Sequence, residues 1–216
     1  LPLATEFLDP LASGYFEDLI SWGFIGARTC TSSTHRQLAS SLEMPIGFKN
    51  STEGSIENAV HSILAARAPH PYIAVDSHGH LYAKQSCGNY ATHIVLRGSN
   101  TCPNFDAESV EKAIGKQAKA RISSRILIDC SHGNSSKQQE RQSQVFYNVL
   151  EQIASGNTKI MGMMLESHLE SGNQFISEDV SSIKSSVSLT DPCIDWSSTE
   201  ELIFSAAKWL SSSSDS

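Results

Sequence analysis

The segment RILIDCSHG (125–133) decides the fold, together with SSKQQERQSQVFYNVLEQIAS (135–155) and KIMGMMLESHL (159–169). The first and third stretches are short apolar runs, typical of strands that are buried on both faces of a parallel sheet. The stretch between them carries apolar residues at helical spacing. The order therefore predicts a strand, a helix and a second strand, which is the repeating unit of an α/β protein.

The same alternation extends in both directions along the chain. We predict four strands before this segment, over 1–8, 24–28, 45–50 and 92–98. We predict helices over 13–23, 33–42, 55–68 and 106–120, and a last helix over 198–212. Residues 71–76 and 80–85 predict an inserted β-hairpin, with His78 and His80 facing solvent at its turn. We expect a single domain over 1–212 and a disordered Ser-rich tail over 213–216.

This alternation fits either a doubly wound sheet or a (β/α)8 barrel. No Gly-rich dinucleotide-binding fingerprint follows the first predicted strand, and the sequence contains no GxxxxGK[ST] phosphate loop. Their absence weakens the doubly wound alternative, so we predict a TIM barrel.

Composition narrows the function classes. The chain has 216 residues and a formal net charge of −7, which disfavours nucleic acid and anionic membrane surfaces as partners. No apolar run approaches the roughly 18 residues that a membrane span needs. The five cysteines form no CxxC pair, which argues against a disulfide framework and a structural zinc site. We therefore expect a cytoplasmic protein.

Ionisable residues follow the predicted strands at or near their C-terminal ends. In chain order they are Glu6 and Asp9, Arg28, Lys49, Arg97, Asp129 and His132, and Glu166 and His168. One charged residue at a strand end is ordinarily a solvated loop residue. The same placement on six strands favours an active site, because the carboxyl ends of barrel strands share one face.

The side-chain types indicate the chemistry. Arg28, Lys49 and Arg97 suit a phosphate or carboxylate, since guanidinium groups pair with both and an ammonium adds a compact charge. His132 and Glu166, with Asp191 from the following loop, suit a divalent metal such as Mn, Fe, Co or Zn. We thus expect an anionic substrate beside a Lewis-acid metal.

Each ligand candidate also has a simpler interpretation. His132 alone would more often be a hydrogen-bonded structural histidine, and Asp191 before Pro192 a turn residue. His168 is a weaker ligand candidate, because it lies two residues beyond Glu166 and further into the loop.

Six motifs together resemble the type I 3-deoxy-D-arabino-heptulosonate 7-phosphate (DAHP) synthases. They are GARTCTSSTHRQLAS (26–40), PIGFKNSTEGSIENAV (45–60), HIVLRGSN (93–100), ILIDCSHGNSSKQ (126–138), MLESHLESGNQ (164–174) and SLTDPCIDW (188–196). The resemblance implies a metal-dependent TIM barrel that condenses phosphoenolpyruvate, erythrose 4-phosphate and water to DAHP and phosphate. This reaction opens the shikimate pathway of aromatic amino acid biosynthesis.

The resemblance also implies roles for individual residues. Arg28, Lys49 and Arg97 match phosphoenolpyruvate-binding positions, and Glu6 lies near that pocket. His132, Glu166 and Asp191 match three of four metal ligands. Lys49 and His132 are the candidates for proton transfer.

The resemblance covers six of eight βα units. The family's Lys-Pro-Arg-Thr motif and its Gly-Pro-Cys metal ligand do not occur in the sequence. We therefore expect the chain to be the C-terminal part of such an enzyme, impaired or inactive alone. Intact family members are homo-oligomers with an aromatic amino acid effector. The effector-cavity positions would be Leu38, Leu42, Glu43, Tyr72 and Ala74, for which helix–hairpin packing is the alternative.

Two other functions stay open at this point. A non-catalytic homologue would keep the anion pocket and bind phosphoenolpyruvate or a partner chain. A related synthase that makes an eight-carbon sugar acid fits less well, because GARTCTSSTHR and SHGNSSKQ are less typical of that family.

Overall fold

The computed structural model describes residues 1–76 and 78–213. The chain divides into two compact units. Unit 1 comprises Leu1–Leu96 and Lys112–Leu127, and unit 2 comprises Arg97–Glu111 and Ile128–Ser216. Of the predicted tail, 214–216 lies outside the described residues, and residue 213 is the last of a helix.

Eight strands alternate with five helices along the described residues. The strands are β1 (Leu3–Glu6), β2 (Ile20–Ile25), β3 (Ile46–Lys49), β4 (Pro71–Val75), β5 (Leu81–Gln85), β6 (Thr92–Leu96), β7 (Ile126–Asp129) and β8 (Ile160–Met164). The helices are α1 (Ser33–Ser41), α2 (Ile56–Arg67), α3 (Ala107–Lys119), α4 (Gln142–Ala154) and α5 (Trp196–Ser213). None of these helices combines the length and hydropathy needed to cross a membrane.

The strands form a six-stranded sheet in the order β1-β2-β3-β6-β7-β8, and β4 and β5 form the predicted hairpin apart from it. Within unit 1 the pairs β1–β2, β2–β3 and β3–β6 are parallel. A parallel sheet whose strand order follows the chain is the pattern of a (β/α)8 barrel. The predicted fold class is confirmed, with six of the eight barrel strands present.

The core of unit 1 explains why these segments become strands and helices. All residues of β3 and β6 are buried, as continuous apolar runs in a parallel sheet predict. Helices α1 and α2 begin at serine caps: the hydroxyl of Ser32 accepts from the N–H of His35, and that of Ser55 accepts from the N–H of Asn58.

The predicted helix over 13–23 is wrong. The structure has two short 3-10 turns at Ser13–Tyr15 and Glu17–Leu19, and β2 begins at Ile20. The apolar residues at helical spacing do not form one buried face, because Tyr15 and Leu19 are exposed while Phe16 stacks on Phe7. The segment ends in a strand that pairs with β1 rather than in a helix.

In unit 2 the helix predicted from residue 135 begins only at Gln142, after a 3-10 turn at Gln139–Arg141. The residues before it form a loop in which His132, Ser136 and Lys137 adopt positive φ values of 53°, 54° and 57°. A left-handed conformation is incompatible with a continuing α-helix. Helix α4 then packs against β8 and α5.

Candidate active site

In unit 2 the ring of His132 lies between the carboxylate of Asp129 on one side and those of Glu166 and Asp191 on the other. Its Nδ1 is 2.9 Å from Oδ2 of Asp129, the last residue of β7, whose side chain is fully buried. Its Nε2 is 3.4 Å from Oε1 of Glu166 and 3.5 Å from Oδ2 of Asp191. One ligand atom each of His132, Glu166 and Asp191 lies within 4.8 Å of the others. The structure therefore brings together the three residues that the sequence offers as metal ligands.

This donor set fits a divalent metal ion. An imidazole nitrogen and two carboxylate oxygens suit first-row transition metals such as Mn, Fe, Co and Zn. A buried carboxylate on the other ring nitrogen of a ligating histidine fixes the tautomer and makes the free nitrogen more basic. Asp129 stands in that position for His132. The arrangement leaves Nε2 of His132 facing the carboxylates of Glu166 and Asp191.

Asp129 is itself held in place by the loop that follows β7. Its Oδ1 accepts hydrogen bonds from the backbone N–H of Ser131 at 2.9 Å and from its hydroxyl at 2.7 Å. The positive φ of His132 is sparsely populated by residues other than glycine, and such strain concentrates at functional sites. In this conformation Nδ1 of His132 lies 2.7 Å from the hydroxyl of Ser131 as well as 2.9 Å from the carboxylate of Asp129.

Asn134 ties together the segments of unit 2 that carry these residues. Its amide donates to the carbonyl of Asp129 at 2.8 Å and accepts from the N–H of Asn104 at 2.8 Å. Its own backbone N–H donates to the carbonyl of Arg97 at 3.2 Å. Asn104 in turn accepts from the N–H of Gly98 at 2.7 Å. The buried Arg97 is thereby fixed to the loop of the predicted ligand His132.

Two glycines permit this close approach. A Cβ at Gly98 would meet the backbone of Gly133 and Asn134, and a Cβ at Gly133 would meet the backbone of Ser99. Gly98 also has a φ of +74°, where side chains are disfavoured. The motifs LRGSN and SHGN are therefore two halves of one packed junction.

The carboxylate-bearing loop after β8 is fixed in a different way. His168, the weaker ligand candidate, is not part of the metal-ligand cluster, and its Nδ1 is 2.5 Å from the carbonyl of Ser186. Burial raises the pKa of the Cys193 thiol, and the nearby carboxylates of Glu166 and Asp191 raise it further. Both effects favour the neutral form of the thiol beside the cluster.

In unit 1 the predicted substrate-binding residue Lys49 is buried at the end of β3. Its Nζ lies 4.6 Å from the centroid of the Phe24 ring. Phe24 stacks on Trp22 at 5.3 Å, and Trp22 stacks on His93 at 5.9 Å. The four side chains form an aromatic column, defined by Lys49, Phe24, Trp22 and His93, with the ammonium at one end.

The far end of the aromatic column is uncharged. The indole N–H of Trp22 donates to Nε2 of His93 at 3.0 Å. Burial lowers the pKa of His93 to about 4, so the ring is neutral at pH 7. A neutral imidazole can accept this hydrogen bond on one nitrogen, whereas a protonated ring could not.

The remaining predicted residues of unit 1 occupy different environments. Glu6 ends β1, and its carboxylate lies against Gly26, where any Cβ would overlap it. Arg28 follows in an exposed turn. The contact between the Glu6 carboxylate and Gly26 explains on steric grounds why the GAR motif begins with glycine.

The five effector-cavity candidates separate into three groups. Leu38 and Tyr72 line a groove of about 360 Å³ that also includes Leu11 and Ile73. The other pair, Leu42 and Glu43, lines a neighbouring groove of about 480 Å³ with residues 84–91. Ala74 lines neither groove. The role of all five as effector contacts stays a prediction.

Sequence reasoning missed the residues that support the ligands. Asp129 was visible as a carboxylate at a strand end, three residues before His132, but its role as a partner of the imidazole was not assigned. Asn134 and Gln142 carry no sequence signal of their own, because their hydrogen bonds join segments far apart in the chain.

Comparison with known proteins decides the family. Residues 1–203 match the model of the DAHP synthetase I family. The chain belongs to this family.

Several relatives of the family are similar along nearly the whole chain. A Tyr-sensitive phospho-2-dehydro-3-deoxyheptonate aldolase of Salmonella typhimurium is 43% identical over 211 residues, 98% of this chain and 59% of the relative. A Phe-sensitive one of Escherichia coli K12 is 45% identical over 203 residues, 94% of this chain and 57% of the relative. The chain spans less than two thirds of the length of these relatives.

A solved structure of the same kind shows the fold. The phospho-2-dehydro-3-deoxyheptonate aldolase of Francisella tularensis SCHU S4 superposes with a TM-score of 0.91 at 41% identity. The match covers 97% of this chain and 60% of that protein. The resemblance predicted from the six motifs is confirmed.

Proposed function

We propose that this chain carries the metal site and most of the phosphoenolpyruvate-binding residues of a DAHP synthase. The reaction condenses phosphoenolpyruvate with erythrose 4-phosphate and water, and gives DAHP and inorganic phosphate. The observation that carries the proposal is the convergence of His132, Glu166 and Asp191 in a chain of the DAHP synthetase I family.

His132, Glu166 and Asp191 are proposed to hold the divalent ion, with Mn, Fe, Co or Zn as the candidates. When bound, the ion supplies Lewis-acid polarisation of the aldehyde oxygen of the sugar phosphate. Asp129 and the Ser131 hydroxyl together favour the tautomer of His132 with its proton on Nδ1, so that Nε2 is free to bind. Because both ring nitrogens of His132 are then engaged, we assign this residue the ligand role. Lys49 is left as the candidate for proton transfer.

Arg28, Lys49 and Arg97 are proposed to bind the phosphate and carboxylate of phosphoenolpyruvate. Guanidinium groups form paired, charge-assisted hydrogen bonds with both anions, and this fixes the orientation of the enol. Arg97 and Lys49 are buried, so their charges act where water screens them little. Glu6, held against Gly26, is proposed to border the same substrate.

The bond changes balance as follows. C3 of phosphoenolpyruvate forms a bond with the aldehyde carbon of erythrose 4-phosphate, and the aldehyde oxygen takes up a proton. A water oxygen adds to C2 and loses both of its protons in turn, one balancing the proton taken up by the aldehyde oxygen and one passing to the departing phosphate. The C2–O bond to phosphate breaks, and phosphate leaves with the electron pair of that bond. The oxygen from water remains as the ketone oxygen of DAHP. The protein contributes by orienting the enol and by stabilising the negative charge on the former aldehyde oxygen.

The groove that includes Leu38 and Tyr72 is proposed as part of an effector site for an aromatic amino acid. It is lined by apolar side chains together with Asp9, Thr34 and Gln37, which can bind the polar end of such a ligand. The names of two relatives record sensitivity to Tyr and to Phe. A homo-oligomer and a cytoplasmic location are further parts of the proposal that the family suggests.

The test is calorimetric titration of the chain with phosphoenolpyruvate in the presence of Mn²⁺, followed by a phosphate-release assay with erythrose 4-phosphate. The proposal predicts phosphoenolpyruvate binding that Arg97→Ala weakens. Phosphate release by this chain alone should be weak or absent, and any release should require Mn²⁺. Lys116→Ala is the matched control, because this cation pairs with Glu57 and should leave binding unchanged. Absence of phosphoenolpyruvate binding would contradict the proposal. A monodisperse chain that binds phosphoenolpyruvate but neither binds Mn²⁺ nor releases phosphate would favour the non-catalytic homologue.

A further inference from the structure

The side chain of Gln142 forms two hydrogen bonds with the main chain of one residue, Glu166. Gln142 is the first residue of α4 and is fully buried. Its Nε2 donates to the carbonyl of Glu166 at 3.1 Å, and its Oε1 accepts from the N–H of Glu166 at 2.9 Å. A primary amide that bonds the N–H and the C=O of one residue forms the same pair of hydrogen bonds as a neighbouring strand. It therefore fixes the main chain of that residue against translation and rotation.

The same carbonyl joins a second segment of unit 2. The N–H of Ile194 donates to the carbonyl of Glu166 at 3.0 Å, and the N–H of His168 donates to the carbonyl of Ile194 at 2.9 Å. Ile194 lies three residues after Asp191. The peptide held by Gln142 is therefore the junction between the segments that carry two of the three predicted ligands.

The rigidity of this junction matters for a metal site. Beyond the last strand residue, Met164, the chain has left the β8 ladder, and the carboxylates of Glu166 and Asp191 are only partly buried. Ligands on loops hold an ion tightly when supporting hydrogen bonds fix their positions. Gln142 supplies those bonds from the rigid first turn of a helix.

We propose that Gln142 is a positioning residue for the metal site, acting through the main chain of Glu166 and, by the shared carbonyl, on Asp191. This inference rests on the proposed metal-binding role of His132, Glu166 and Asp191. It assigns Gln142 no contact with substrate or ion. Its contribution is the placement of two carboxylates at a separation that one ion can bridge.

The test measures Mn²⁺ affinity and Co²⁺ coordination in the full chain. Loss of the free Mn²⁺ signal in electron paramagnetic resonance gives the dissociation constant, and the visible absorption of bound Co²⁺ reports ligand number and geometry. Gln142→Met keeps the side-chain length and removes both hydrogen bonds. We expect Mn²⁺ binding to weaken roughly 10- to 100-fold, the range found when partners of metal ligands are removed, with an altered Co²⁺ spectrum.

Gln117→Met is the matched control. Gln117 is also a buried glutamine in a helix, and its amide donates to the carbonyl and hydroxyl of Ser124. The control should lower thermal stability while leaving both metal readouts unchanged. Equal weakening of Mn²⁺ binding in the two variants would show a general loss of stability and would overturn the proposal.

Two further outcomes are decisive. A folded Gln142→Met with Mn²⁺ affinity within about twofold of wild type and an unchanged Co²⁺ spectrum would refute the positioning role, yet leave the metal site intact. Failure of the wild-type chain to bind Mn²⁺ would refute the proposed function itself. If Gln142→Met does not fold, Gln142→Glu carries the test. The carboxylate of this variant still accepts from the N–H of Glu166 but repels the carbonyl of Glu166. Weaker Mn²⁺ binding is therefore again expected.

Discussion

The close contact between the Asp129 carboxylate and the His132 ring makes a sharp prediction for the variant Asp129→Asn. The replacement has the same shape but presents one donor and one acceptor where the carboxylate presents two acceptors. Oδ1 of Asp129 accepts two hydrogen bonds from Ser131, and Oδ2 faces Nδ1 of His132 at 2.9 Å. If the amide oxygen stays with Ser131, the NH₂ group faces Nδ1 and favours the imidazole tautomer with its proton on Nε2. The Ser131 hydroxyl, 2.7 Å from Nδ1, is then the remaining acceptor for a proton on Nδ1. If the amide is reversed, the Ser131 N–H loses its acceptor.

The expected loss of Mn²⁺ affinity is estimated from the charge-assisted contact between Asp129 and His132 that the variant removes. Charge-assisted hydrogen bonds contribute about 1.5–3 kcal/mol, which corresponds to about 10- to 150-fold in an equilibrium constant. Moving the proton to Nε2 directly opposes ligation, because that nitrogen faces Glu166 and Asp191. We therefore expect Mn²⁺ affinity to fall by about 10- to 100-fold in Asp129→Asn.

Two assays check this prediction. Titration with Mn²⁺ gives the affinity, and nitrogen chemical shifts of labelled histidine give the tautomer of His132. Asp106→Asn is a matched control. Asp106 caps α3 and, like Asp129, accepts hydrogen bonds from the backbone N–H and the hydroxyl of one serine, here Ser109. Mn²⁺ affinity within about twofold of wild type in a folded Asp129→Asn protein would refute the role assigned to Asp129.

Three other changes test the substrate-binding and core residues. Arg97→Ala should weaken phosphoenolpyruvate binding by about 2–4 kcal/mol by calorimetry, and a loss under about 0.5 kcal/mol would remove Arg97 from the pocket. Phe24→Leu should weaken phosphoenolpyruvate binding by about 0.5–1 kcal/mol, because Lys49 loses its aromatic neighbour. Phe24→Tyr keeps an aromatic ring and should leave this binding unchanged. For His93 the folded-state pKa of about 4 lies below the ordinary value of 6.5, so the unfolded chain takes up a proton first as pH falls. The unfolding free energy should therefore decrease by up to about 3 kcal/mol between pH 6.5 and 4, and in His93→Gln this part of the pH dependence should vanish in denaturant titrations.

The order of elements was predictable because it depends on local patterns. Continuous apolar runs identified strands such as β3 and β6, and serine caps marked the starts of α1 and α2. The pattern failed at 13–23, where residues at helical spacing belong partly to turns and partly to β2. It also failed at 135–141, because the left-handed residues of the SHGNSSKQ loop are not visible in hydrophobic spacing.

The candidate site divides in the same way. The type and order of the ligands His132, Glu166 and Asp191 followed from strand ends and from the family motifs, and the structure brings the three together. The supporting residues Asp129 and Gln142 did not follow. Their importance lies in contacts with particular atoms of His132 and Glu166, and these contacts depend on the folded geometry.

The most direct test of the central claim is a calorimetric titration of Mn²⁺ into the wild-type chain and into His132→Ala. We predict that the wild-type chain binds a single ion and that His132→Ala loses this binding while its circular dichroism spectrum stays unchanged. Absence of Mn²⁺ binding by the wild-type chain, or equal affinity in a folded His132→Ala protein, would contradict the account.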